Sequence, residues 1–262
     1  VGKSDVKKAS AGFFEGVSTD YYAEKYGDKR NISAYGMRRR LERILGIINA
    51  FERRGRLVDF GCGPAVTWEG ASAQGYEYYG IDISPGMLAE GAARALETRA
   101  GAPPRLVAGD VTDLPFENAI FDVAVATGLM DYLPDGRVFY DELHRVLMSG
   151  GLAVVTYSNR FSWMNFVRRV AKPLSRALQF KGRVLASDIE TRAHVPRREV
   201  QKLEAIGFRV EKVTYSGAHI VPFGLKMPRA YFLLLNALER LYNYLRFRPG
   251  LSSFTLVVRK ND

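Results

Sequence analysis

Cysteine is nearly absent: Cys62 is the only one in 262 residues. No internal disulfide can form, and an intracellular setting is expected. Histidine is scarce, with three in the chain. No His, Cys or carboxylate cluster has metal-ligand spacing, so no metal centre is expected. No apolar run approaches the ~20 residues that a membrane-spanning helix needs. The longest, such as Ala230 to Leu235, suit a core or an interface. The N-terminus is polar and charged, without the apolar stretch of a signal peptide. Internal repeats and low-complexity tracts are missing. What remains is an ordinary globular composition, 47% hydrophobic and 25% charged, long enough for one large α/β domain.

Acid is in short supply in one half only. The net charge is +10, but residues 1–157 carry 18 Lys/Arg against 21 Asp/Glu, and residues 158–262 carry 20 against 7. A basic half suggests an anionic partner, whether lipid surface, nucleic acid or charged substrate, or else a solvated surface that aids solubility.

Strands are expected at 56–60, 77–82, 104–108, 121–127, 152–158, 208–215 and 252–259. Helices fit between most of them. Leu41, Ile44, Leu45, Ile48 and Phe51 recur at helical spacing over 33–51. Ser84-Pro85 supplies a cap and an N1 proline for a helix over 85–98. A helix over 134–147 stops at Gly150-Gly151, and one over 196–206 ends at Gly207. A short helical arm is expected from Phe13. Strands alternating with helices imply a mostly parallel sheet covered on both faces. Two segments fall outside the minimal alternation, 159–195 and 216–251. Ligands in such sheets sit beyond the carboxyl ends of the strands, so insertions reaching that edge are natural walls of a substrate pocket.

The stretch "LVDFGCGPAVTWEGASAQGYEYYGIDIS" (57–84) is the first chemical signal. Its G-x-G follows a strand, but the third small residue of a dinucleotide fingerprint is replaced by Val66. No Walker-type phosphate loop is present. Asp59 would repel a pyrophosphate and would suit a ligand with a cationic amino group. Asp82 ends the second strand, where a carboxylate can accept from both ribose hydroxyls. Gly61 and Gly63 leave room for close backbone approach.

These residues belong to an ordered set: V-D-F-G-C-G-P, G-I-D-I-S-P-G-M-L, G-D-V-T-D-L-P-F, F-D-V-A-V-A-T and E-L-H-R-V-L-M-S-G-G-L, over about 56–158. The set resembles the successive motifs of class I S-adenosylmethionine-dependent methyltransferases, and "AIGF" with two closing strands extends the resemblance. It implies a Rossmann-like seven-stranded sheet, order 3-2-1-4-5-7-6, with the last strand antiparallel. It also implies S-adenosylmethionine as cofactor. Asp59, Gly61 and Gly63 would surround the methionine part. Asp82 would bind the ribose, Ile83 and Met87 would lie beside the adenine, and Asp110 would accept from the adenine amino group with Val111 adjacent. Ala126 and Thr127 would lie under the sulfonium. By resemblance to the quinone-biosynthesis branch, Tyr21 of "FFEGVSTDYYAEKYGD", with Tyr22 or Tyr26, would close over the cofactor. The expected organisation is one methyltransferase domain over 1–262, with an N-terminal helical lid (1–55) and a substrate cap from both insertions. His144 falls at a scaffold position of the family.

Methyl transfer needs alignment and dryness above all, and a base when the acceptor carries a proton. His194, His219 and Tyr132 fall near the expected pocket rim and are the catalytic candidates. No [ND]-P-P-[YF] turn follows the fourth strand and no nucleic-acid recognition module is visible, so nucleic acid is not the expected acceptor. "RFSWMNFVRRVAKPLSRALQFKGR" (160–183) has seven Lys/Arg and no Asp/Glu. Trp163, Phe166, Val167, Val170 and Leu174 share a stripe, as in a basic amphipathic surface helix. A second stripe runs through Phe232, Leu235, Leu238, Leu241, Tyr242 and Leu245. The expected activity is methylation of an apolar or lipid-linked small molecule, at the inner face of an anionic membrane, by a cytoplasmic protein. Two other readings stay open: a soluble natural-product O- or N-methyltransferase, and a non-catalytic binding or scaffold module.

Overall fold

Short apolar runs alternate with amphipathic segments, and most of the runs become strands, whereas the run Ala230–Leu235 falls in a helix. The computed structural model describes residues 3–27, 31–98, 101–163, 192–217, 227–244 and 251–262. Its strands are β1 (Arg56–Phe60), β2 (Glu77–Asp82), β3 (Arg105–Ala108), β4 (Phe121–Ala126), β5 (Leu147–Ser158), β6 (Phe208–Ser216) and β7 (Ser253–Lys260). They form one sheet of order β3-β2-β1-β4-β5-β7-β6. β7 runs antiparallel to both neighbours, and the other pairs are parallel. The fold is the Rossmann-like sheet that the motifs imply.

Helices α1 (Lys3–Tyr22), α2 (Ile32–Asn49), α3 (Trp68–Ala73), α4 (Pro85–Thr98), α5 (Gly136–Val146), α6 (Pro196–Ile206) and α7 (Arg229–Tyr244) surround it. Side chains alternate across the sheet. Val58, Phe60, Ala124 and Val155 face a core with Phe139, Leu143 and Leu203 of α5 and α6. Leu57, Tyr78, Val123 and Val154 face a second core with Ile44, Ile48 and Trp68 of α2 and α3. Gly80 has no alternative to glycine, since a Cβ there would lie 2.8 Å from the Cys62 sulfur. The free thiol is therefore a buried packing group. His144 also packs, edge-on to Phe208 with ring centroids 5.3 Å apart.

Three expectations shift. The helix before β5 ends at Val146 rather than Leu147, because buried Leu147 already pairs with Phe121 and starts the strand. Gly150, at φ 70°, then lies inside β5, where an irregularity restores the pairing at Leu152 and Val123. The N-terminal arm, expected to be short and helical at least from Phe13, is a 20-residue helix that begins already at Lys3. It continues through a π-helical turn at Ala23–Gly27.

The stripe over 160–183 lies almost entirely outside the described residues, as do Leu245 and His219. The second stripe falls on α7. Phe232 and Leu235 are buried against Ile32, with Tyr35 and Tyr231 beside them. Leu238 and Tyr242 pack on the sheet core. Leu241 is half exposed, and Leu233, Leu234 and Tyr244 point outward. Most of the stripe is thus an internal packing face, and a second apolar face is left outside.

Candidate active site

The β1–α3 turn has to bend sharply at the sheet's carboxyl edge. Gly61 and Gly63 do this at φ 65° and 52°, a region that favours glycine. A Cβ on Gly61 would come within 3.0 Å of Leu129, whereas one on Gly63 would enter open space. Asp82, at the end of β2, stabilises the turn. Its Oδ2 accepts from the Gly63 N–H at 2.8 Å and its Oδ1 from the Ser84 N–H at 2.9 Å. Burial pushes its carboxyl up, and those N–H groups pull it back.

The turn opens on a cavity of about 520 Å³, within the range of small-molecule and cofactor sites. Gly61, Gly63, Asp82, Ile83, Met87, Asp110, Val111, Thr127, Tyr132 and Tyr21 all line it. The fold thus brings together ten of the residues named from the sequence. Asp110 is fixed by the Thr112 N–H and hydroxyl, which both donate to its Oδ1. The Thr127 hydroxyl is buried with no hydrogen-bond partner. A buried polar atom beside a glycine cradle fits a ligand with polar atoms of its own. The site therefore suits S-adenosylmethionine, the cofactor of the family whose motifs it carries.

Of the other four named residues, three lie elsewhere and one falls outside the described residues. Asp59 is buried beneath the turn, where Tyr78 Oη donates to its Oδ2 at 2.9 Å. Burial first, and Asp82 nearby, push its carboxyl up to about 7, against hydrogen bonds from Tyr78 and Thr67. Ala126 is buried one residue before Thr127 and does not reach the cavity. His194 is behind the wall, held by Glu199 and the Met130 carbonyl. His219 is outside the described residues. Tyr132 lines the cavity, but burial pushes its hydroxyl up to about 12, with Tyr21 and Asp131 adding to the rise. It suits a hydrogen-bond donor better than a base.

Sequence reasoning passed over Arg40 and Asp131. Three successive arginines on α2, Arg38 to Arg40, look alike in the sequence. Arg38 bonds to the Tyr26 carbonyl and Arg39 to Glu42. Arg39 and Arg40 both line the cavity, and a Cβ on Gly128 would meet the Arg40 guanidinium at 3.1 Å. Arg43 also lines it but is paired with Glu239. The cavity wall carries both signs of charge: Asp82 and Asp110 follow the strand ends, and the α2 arginines stand with Asp131 and Glu239. Aromatic and apolar side chains, Phe13, Phe14, Tyr35, Leu133 and Leu235, complete the wall.

The N-terminal helix roofs this cavity. Glu15 accepts from Ser84 Oγ at 2.7 Å and from the Gly86 N–H at 3.0 Å, at the start of α4. The Arg94 guanidinium stacks 3.6 Å from the centre of the Tyr22 ring. Tyr21 and Tyr132 each pack edge-on against Phe14.

Comparison with known proteins agrees with this geometry. Residues 58–155 match the family described as "Methyltransferase domain". A demethylmenaquinone methyltransferase of Mycolicibacterium paratuberculosis (strain ATCC BAA-968 / K-10) is 33% identical over 134 residues, 51% of this chain and 54% of that protein. An 18S rRNA (guanine-N(7))-methyltransferase of Bos taurus is 32% identical over 111 residues, 38% of this chain and 37% of that protein. The chain thus spans about half or less of these curated relatives. Among solved structures, a magnesium protoporphyrin IX methyltransferase from Synechocystis PCC 6803 with bound SAH has a TM-score of 0.68 at 16% identity, over 98% of this chain and all of that one. Residues 58–155 thus match a methyltransferase domain, the fold is that of class I methyltransferases, and the chain resembles S-adenosylmethionine-dependent enzymes, quinone-type ones among them. Among the described residues no helix is long and apolar enough to cross a membrane, and no cluster of His, Cys, Asp or Glu could hold a metal ion.

Proposed function

We propose that the protein transfers a methyl group from S-adenosylmethionine to an apolar or lipid-linked small molecule while resting on an anionic membrane surface. The observation that carries the reading is the cavity at the carboxyl ends of the strands, lined by Asp82 and Asp110, by arginines of α2 and by aromatic side chains. Bound S-adenosylmethionine supplies a methyl carbon on a sulfonium whose leaving group is already activated. Asp82 would accept from the ribose hydroxyls and Asp110 from the adenine amino group, with Ile83, Met87 and Val111 against the ring. Gly61, Gly63 and the unpartnered Thr127 hydroxyl would meet the methionine part. Arg40 would pair with its carboxylate in a charge-assisted contact. Asp59 would act from below, through the turn. Tyr21 would cover the bound ligand and exclude water.

For the acceptor, Phe13, Phe14, Tyr35, Leu133 and Leu235 offer apolar and aromatic surface, which suits a ring or a prenyl chain. The exposed face of α7, with Leu233, Leu234, Leu241 and Tyr244, and the basic 160–183 segment together suit an interfacial contact. Calorimetry with S-adenosylhomocysteine tests the donor reading, which no binding would overturn. Co-sedimentation with vesicles containing phosphatidylserine tests the surface reading, which fails if binding is absent or insensitive to salt. Labelled methyl transfer into lipid and aqueous cell extracts then identifies the acceptor.

A further inference from the structure

His194 looks like a base in the sequence, yet its surroundings give that role to a neighbour. Its Nδ1 lies 3.2 Å from Glu199 Oε1, and its Nε2 lies 3.2 Å from the Met130 carbonyl oxygen. Both ring nitrogens are thus turned towards fixed acceptors behind the wall, and the ring does not line the cavity. Glu199 is itself fixed by Lys202 at 2.9 Å and by the Tyr140 hydroxyl at 2.6 Å.

The same Nε2 lies 3.7 Å from Asp131 Oδ1. Asp131 belongs to the short turn that follows β4, and it lines the cavity next to Tyr132. Ser158, at the end of β5, holds it from the sheet side. The Ser158 N–H donates to Oδ1 at 3.0 Å and its Oγ–H donates to Oδ2 at 2.5 Å. Each carboxylate oxygen then has acceptor capacity to spare. Burial pushes the Asp131 carboxyl up, while Ser158, His194 and Arg40 pull it down. Tyr132 is the other titratable group that faces it. A positioned carboxylate with a raised affinity for protons, at a cavity wall, is suited to general-base work.

The geometry points to Asp131 as the catalytic residue that takes the acceptor's proton, to His194 and Ser158 as its positioning residues, and to an acceptor that presents a neutral O–H or N–H rather than a carboxylate. This rests on the methyltransferase reading above. The acceptor's X–H bond breaks as an O–H bond forms on Asp131. The electron pair freed on X makes the bond to the methyl carbon, and sulfur keeps the pair of the broken S–C bond. The proton leaves Asp131 for solvent after product release. An acceptor that is already a carboxylate would instead meet a like charge at close range.

The test needs no known substrate. The protein is saturated with S-adenosylhomocysteine, and calorimetry compares 1-naphthol with 1-naphthoate, two probes of similar shape. Wild type is expected to prefer the naphthol by about tenfold, the worth of one charged hydrogen bond. In Asp131→Asn the naphthol should weaken by a similar factor and the naphthoate should tighten, so that the preference reverses. An unchanged preference overturns the inference, as does a saturated wild-type protein that binds no naphthol. If S-adenosylhomocysteine itself does not bind, it is the methyltransferase reading that fails. For the positioning role, carboxylate carbon resonances of aspartate-labelled protein give the Asp131 midpoint, assigned by its loss in Asp131→Asn. His194→Gln removes a positive neighbour and should raise that midpoint. Should that variant not fold, Ser158→Ala should raise it too. A midpoint that stays in place overturns the positioning role.

Discussion

The part of the cavity proposed to hold the donor and the part proposed to hold the acceptor are built by different means. The donor part rests on strand ends and tight turns: Gly61, Gly63, Asp82 and Asp110 are fixed by hydrogen bonds to the backbone or to near neighbours in the chain. The acceptor part is assembled from elements far apart in sequence. Tyr35 of α2 meets Phe232 of α7 with ring centroids 4.5 Å apart, and its hydroxyl bonds to Asn236. Arg43 of α2 pairs with Glu239 of α7. Proteins named for a quinone and for an rRNA both match part of this chain, over 134 and 111 residues. On the proposed reading, what distinguishes the acceptor lies mostly in α1, α2 and the chain after β5, which can change without disturbing the turn proposed to hold the cofactor.

The largest expected effect tests the donor part alone. Asp82→Ala should weaken S-adenosylhomocysteine by about 100-fold, the worth of two charged hydrogen bonds. It should leave vesicle binding unchanged. Parallel loss of both in calorimetry and co-sedimentation would show that the two parts are not separable. The converse variant is Leu233→Asp with Leu241→Asp, on the outward face of α7. It should lower partition onto anionic vesicles by about tenfold, from lost apolar burial, with the same S-adenosylhomocysteine affinity. Unaltered partition would break the assignment of that face to a membrane.

The same division decides what could be read from the chain. All seven strands were legible, most within a residue or two because they are short apolar runs between turn formers, while β5 starts five residues before its expected beginning. The sheet order and nine of the ten cavity residues followed from the resemblance, and Tyr132 from its position just past the fourth strand. Asp59 is a case where chain position misleads. It precedes the glycines, but the pleat directs its side chain under the turn and against Tyr78. Arg40 was hidden among identical neighbours, and only the packing of α2 against the sheet selects it. Asp131 is one residue from Tyr132, which was named as a candidate. An acid just after β4 is a weak signal until Ser158 and His194 are brought beside it. The stripe on α7 was visible, but sequence periodicity cannot say whether an apolar face meets a core or a membrane.

Asp59 offers an intermediate effect that sharpens the distinction between holding the turn and touching the ligand. Its folded value, about 7, lies above the usual carboxylate range. The folded state therefore binds the proton more tightly than the unfolded one. Stability from this group is present at low pH and falls as pH rises towards 7, by up to about 1.4 kcal/mol per pH unit. Asp59→Asn should flatten that slope in urea titrations taken at several pH values. A slope unchanged in the variant would mean that the group titrates normally.

The smallest expected effect concerns the roof that joins the two parts. Glu15 is fully exposed, and its carboxylate is held low by Ser84 first and then by the Gly86 N–H. An exposed contact of this kind contributes little to global stability, so its consequence should be local. Glu15→Gln keeps the shape but weakens the cap on α4, where a negative charge is favoured. Amide exchange of α1 should quicken by about twofold, while β1 and β4 stay protected. Because the folded value is depressed, the contact is complete above the usual glutamate range and is lost as pH falls through the lowered value. Wild-type α1 should therefore approach the variant's exchange behaviour in acid, after correction for intrinsic rates. If both helices exchange alike at neutral pH, Glu15 does not fasten the roof, and the edge-on packing of Tyr21 and Tyr132 on Phe14 must hold it instead.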